Sequence, residues 1–94
     1  MKVIARKVIQ EGTMEKVLKL YDELVTLSRL EEGCISYELY QDKSNPLLLA
    51  VFEEWENQES LDKHTKSEHF TRIVPLLNEF TAERLGFTMY EKLI

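Results

Sequence analysis

The sequence predicts an α+β fold of the ferredoxin-like kind, β-α-β-β-α-β, with a four-stranded antiparallel sheet and helices on one face. Two observations predict it. Four short runs, Val3 to Ile9, Cys34 to Gln41, Leu47 to Trp55 and Leu85 to Leu93, are rich in β-branched and aromatic residues or alternate in polarity. Between the first and second, and between the third and fourth, apolar residues recur instead at helical spacing. With 94 residues the chain is long enough for one core, so a single domain over 1–94 is expected.

Val3 to Ile9 stops at Gln10-Glu11-Gly12-Thr13, a turn that offers Thr13 as a helix N-cap. Met14, Val17, Leu18, Tyr21, Leu24, Val25 and Ser28 then follow the i, i+3, i+4, i+7 rhythm of a one-sided helix. Gly33, after Glu31-Glu32, is read as its left-handed C-cap. In Cys34 to Gln41, Ile35, Tyr37 and Leu39 fall on one face and Ser36, Glu38 and Tyr40 on the other. Asp42 to Pro46 is a turn cluster, which makes a hairpin with Leu47 to Trp55. Asn57 caps a short helix through His64, and Ser67 caps another carrying Phe70, Ile73, Val74, Leu77 and Phe80, in which Pro75 is expected to cause a kink or break.

The third strand is apolar on both faces, with Leu47, Leu49, Val51 and Trp55 on one and Leu48, Ala50 and Phe52 on the other. The helices can cover only one side of the sheet, so a homodimer packed sheet to sheet is expected to bury the other. A net charge of −5 repels phosphate backbones and anionic lipid, so neither nucleic acid nor membrane is an expected partner. The lone Cys34 forms no intrachain disulfide and is read as a small buried hydrophobe. The first residues are too short an apolar run for a signal peptide, and a cytoplasmic location is expected.

Both histidines and the only tryptophan lie between Glu53-Glu54-Trp55 and His69-Phe70. Histidine is the natural acid or base near neutral pH, and an indole can wall a planar organic substrate. Sequence spacing argues against a metal site on His64 and His69, because residues five apart do not share a helical face. The pairs Glu31-Glu32 and Glu53-Glu54 are read as solvated faces.

Several blocks carry a family resemblance: the Gly12 turn, Glu32 to Tyr40, Glu53-Glu54-Trp55-Glu56, and His64-Thr65-Lys66-Ser67-Glu68-His69-Phe70. In these the chain resembles the antibiotic biosynthesis monooxygenases, and within them the small bacterial quinol monooxygenases. The resemblance implies a dimeric α/β-barrel that oxygenates quinols or polycyclic phenols with O2 and without metal, haem or flavin. The haem-degrading branch has an Asn on the first strand, a Trp where this chain has His64 and a haem-ligating His where it has Val74, and these departures argue against haem breakdown. On that reading His64 is the catalytic base and His69 holds the substrate oxygen. Trp55, Phe52, Tyr37 and Phe70 form the pocket, and Glu53 orients a histidine or meets the second copy.

The histidine pair also resembles the branch that isomerises a phosphorylated autoinducer sugar. Arg6, Lys7 and Lys66 are the cations available to a phosphate there. A non-catalytic ligand-binding stress module is the third reading.

Overall fold

Strand β1 (Lys2–Ile9) sits inside the sheet, between β3 (Leu48–Trp55) and β4 (Thr81–Tyr90), and β2 (Cys34–Gln41) extends the other side of β3 to give the order β2-β3-β1-β4. All neighbours are antiparallel. Helices α1 (Met14–Arg29), α2 (Gln58–Thr65) and α3 (Glu68–Glu79) pack on one face, the last two together filling the second helical position of the predicted order. The computed structural model describes Met1 to Ile94.

The core lies between that face and the helices. Val17, Tyr21 and Leu24 of α1, Leu61 of α2, and Ile73 and Leu77 of α3 are buried against Val3, Ile9, Tyr37, Leu49, Val51 and Trp55 of the sheet. Full burial of each aliphatic side chain is worth roughly 1.5–3 kcal/mol. On the other face Phe52 is 42% and Tyr40 50% exposed, and the two rings meet edge to face at 5.2 Å. Glu38 pairs opposite Phe52, and Ile4 flanks it from β1.

Several elements differ locally from expectation. Thr13 precedes α1, but its hydroxyl donates to Gln10 O at 2.6 Å instead of accepting from the helix. α1 ends at Arg29 with Leu30 as its cap, so Gly33, at φ +85°, shapes the entry to β2 and not the helix end. A bulge sets Cys34 opposite Trp55 and Ser36 opposite Glu54, which leaves Ile35 unpaired and exposed. Pro75 neither breaks nor ends α3. It lies on the exposed side, where solvent can serve the carbonyl its ring leaves without a donor. β4 starts at Thr81, directly after the helix, because β1 continues to pair with it down to Ile9↔Thr81, and it ends at Tyr90. No helix is long and apolar enough to cross a membrane.

Candidate active site

Two side-chain caps build the corner that holds the histidines. Asn57 Oδ1 accepts from Ser60 N at 2.9 Å and starts α2, which brings His64 into its last turn. Ser67 Oγ accepts from Phe70 N at 3.3 Å and donates to His64 O at 2.7 Å, so the same residue ties the end of α2 to the start of α3, where His69 stands. The turn after α1 faces this corner and contributes Glu31.

Glu31 Oε2 lies 2.5 Å from His64 Nδ1 and 2.8 Å from His69 Nε2. A carboxylate only accepts, so both of these nitrogens carry the proton, and His64 is thereby assigned the tautomer with a free lone pair on Nε2. Nε2 is buried and has no hydrogen-bond partner in the chain. The ring is 1% exposed and is held by Trp55 at 4.7 Å, Phe70 at 5.1 Å and Tyr37 at 5.3 Å between centroids. Burial pulls its pKa below 6.5, against an upward pull from the Glu31 hydrogen bond and charge. Neutral imidazole is the form favoured at pH 7.

A cavity of about 430 Å³ opens on His64 between the sheet and the helices. Val3, Val51, Leu61, Phe70 and Val74 supply apolar wall, and Tyr37 and Glu53 also line it. Trp55 Nε1 donates to Glu53 Oε1 at 2.9 Å. Burial raises the Glu53 carboxyl to about 7, the Trp55 bond opposes this and the Glu31 charge adds to it. Burial also raises the pKa of Tyr37, which stays a phenol.

Of the seven residues chosen from sequence, His64, Tyr37, Phe70 and Glu53 reach the cavity. Trp55 does not. It is fully buried beneath His64 and acts on the cavity through the His64 ring and the Glu53 carboxyl. His69, expected to hold substrate oxygen, lies behind Glu31 and is not among the lining residues. Phe52 projects from the opposite face of β3, since adjacent residues of a strand point to opposite sides, and cannot share a wall with Trp55. Glu31, taken as a solvated residue, is the one that orients both histidines. It lies 33 residues from His64 in sequence, and no local periodicity connects them.

A model of the family described as antibiotic biosynthesis monooxygenase matches residues 1–76. The chain belongs to that family. Among relatives, the protein named "Putative monooxygenase Rv0793" of Mycobacterium tuberculosis is 29% identical over 93% of this chain and 85% of its own length. An uncharacterised protein of Synechocystis is 30% identical over 88% of this chain, which spans only 56% of that relative. A crystal structure described as an antibiotic biosynthesis monooxygenase superposes with TM-score 0.94 at 36% identity, covering 99% of this chain and 98% of the other. A conserved protein of Methanosarcina mazei does so with TM-score 0.95 at 35% identity, covering 98% and 91%. The ferredoxin-like fold is therefore that of the antibiotic biosynthesis monooxygenases.

In this family member Glu31, His64 and His69 bring three ligand-type atoms within 4.8 Å of one another, although a sequence spacing of five argues against a metal site on the two histidines. A spacing of five separates side chains only along a single helix, and the two histidines stand on two, His64 on α2 and His69 on α3. Ligand atoms around a tetrahedral metal are about 3.3 Å apart for bonds near 2.0 Å. The contacts of 2.5 and 2.8 Å are shorter and are those of a carboxylate sharing protons with two imidazoles.

Proposed function

We propose that this protein is a cofactor-independent monooxygenase of a quinol or polycyclic phenol, with His64 as the base. The observation that carries the reading is the His64 imidazole, held at Nδ1 by Glu31 and left with an unpartnered Nε2 beside an apolar cavity. Neutral phenols react slowly with O2 and their anions faster, so a base in a dry pocket supplies what the reaction lacks. His64 Nε2 takes the phenolic proton, and Glu31 stabilises the imidazolium. The phenolate gives an electron to O2, and recombination forms a carbon–oxygen bond and a peroxide. Loss of the ring proton then breaks the O–O bond, leaving a quinone while the second oxygen departs as water. The substrate supplies all the electrons. Glu53 lines the same cavity, and a carboxyl protonated up to about pH 7 supports a role for it as donor to the peroxide.

Family members that degrade haem use a histidine where this chain has Val74, which lines the cavity and offers no ligand to iron. The same base would serve an isomerase of a small phosphorylated sugar, but the mostly apolar wall suits an aromatic better. A second copy of the chain on the open sheet face completes the proposed enzyme, and a cytoplasmic setting fits the single unpaired Cys34. Oxygen uptake with a naphthoquinol tests the activity. Uptake by the protein that exceeds autoxidation and falls at least about 100-fold in His64→Ala supports it. Uptake equal to autoxidation removes it.

A further inference from the structure

The cavity is not uniformly apolar. Four residues along β1 from Val3, which pairs with Glu53 near His64, lies Lys7, a distance of about 13 Å at strand rise. Lys7 pairs across β1 and β4 with Arg84, and both line the cavity together with Asn78 from the end of α3. Directly opposed like charges on a strand pair repel. Neither cation forms an ion pair within the chain. Lys7 Nζ finds only the neutral Asn78 Oδ1, at 3.4 Å, and the Tyr21 ring, 6.0 Å away. The carboxylates that do line the cavity belong to its other parts. Glu53 is bonded to Trp55, and Asp62 accepts from Gln58 at 2.8 Å on α2. Of the three cations that the sequence offers a phosphate, Arg6 and Lys7 line the cavity and Lys66 does not, and Arg84 joins them from β4.

We infer that the substrate is an aromatic anion, with its carboxylate or phosphate held between Lys7 and Arg84 and its phenolic end at His64. The inference rests on the reading of the cavity as an aromatic site. An anion there removes the repulsion between the two cations and gains charge-assisted hydrogen bonds, and Arg84 can engage two oxygens at once. Burial and the neighbouring Arg84 depress the Lys7 pKa, an effect that a bound anion reverses. The separation of the two poles favours a fused-ring skeleton over a single small sugar, since only the longer ligand reaches both.

Calorimetric titration of 6-hydroxy-2-naphthoate against 2-naphthol tests this, with 2-naphthyl phosphate in parallel to tell carboxylate from phosphate. We expect at least one anion to bind about tenfold or more tightly than 2-naphthol at low salt, as one or two charge-assisted contacts imply. The preference should shrink in Arg84→Gln, vanish in Lys7→Gln/Arg84→Gln and survive in His64→Ala. Equal affinities, a preference that persists in the double variant, or no binding of any probe each overturns it. An Arg84-dependent preference in a protein that consumes no oxygen keeps this inference and removes the oxygenase.

Discussion

At His64 two opposing effects set the chemistry. Burial favours the neutral ring, and Glu31 favours the charged one. The first prevails, so kcat/KM should rise with pH through a value below 6.5 and level off by neutrality. Glu31→Gln removes the upward pull, so the rise should move to lower pH while the plateau falls about tenfold or more, because a weaker base is also less firmly oriented. A pH–rate profile in the variant that matches the wild type would show that the proton leaves by another route. Glu53 makes a second, separate prediction about stability. Its carboxyl titrates near 7 in the fold against 4.5 in the free side chain, so its contribution is complete below pH 4.5 and is lost as pH rises to 7. His64 acts the other way, because its depressed pKa costs stability as pH falls below 6.5. Glu53→Gln keeps an acceptor for Trp55 and cannot ionise, so it should raise the melting temperature at pH 8 relative to pH 5, with about 3 kcal/mol as an upper limit. A melting temperature at pH 8 unchanged from wild type would count against a strained carboxylate. The histidines and Tyr37 could be chosen from sequence because residue chemistry alone marks them. Glu31 could not, since what distinguishes it from Glu32 is a partner reached only through the fold.

The element that places Glu31 is the turn between α1 and β2, and Gly33 is its constraint. A Cβ on Gly33 would lie 2.0 Å from Ser60 Oγ and 2.6 Å from Ser60 Cβ, at a φ of +85°. Gly12 has a similar φ of +81° with nothing within 4 Å, so it serves as a control for backbone strain alone. Gly12→Ala should cost roughly 1–2 kcal/mol. Gly33→Ala should cost more, because the first turn of α2 must also move, and that motion carries His64 away from Glu31. Denaturant melts of the two variants, with their pH–rate profiles, check this. Equal losses would mean that α2 yields freely. The strands and helices were legible because burial on one face imposes period on the sequence. What was not legible depends on neighbours: the bulge at Ile35 is set by pairing with β3, and the early start of β4 by pairing with β1. Pro75 misleads because its effect depends on which side of α3 it occupies.

For the whole molecule the governing contrast is between the covered and uncovered faces of the sheet. Both faces of β3 are apolar, but only one meets helices, and the two call for different tests. Leu49 and Val51 are 2% and 4% exposed in the core, so an aspartate at either position should unfold the chain and report nothing about assembly. Phe52 is 42% exposed on the open face, where an aspartate costs the monomer little. If a second copy covers that face, Phe52→Asp buries an unpaired carboxylate only in the dimer, and should give a folded monomer of 11.1 kDa where the wild type scatters as twice that mass at micromolar concentration. Assembly also bears on the site. Phe87 and Met89 line the cavity from the edge strand β4 while 66% and 48% exposed, so a second copy that covers the open face and also reaches round the β4 edge would dry the pocket in which the phenolate must form. Oxygen uptake by Phe52→Asp should then fall with dimerisation, even though the substitution lies on the far side of the sheet from His64. A monomeric wild type would overturn the assembly, and full activity in a monomeric variant would show that each chain closes its own cavity.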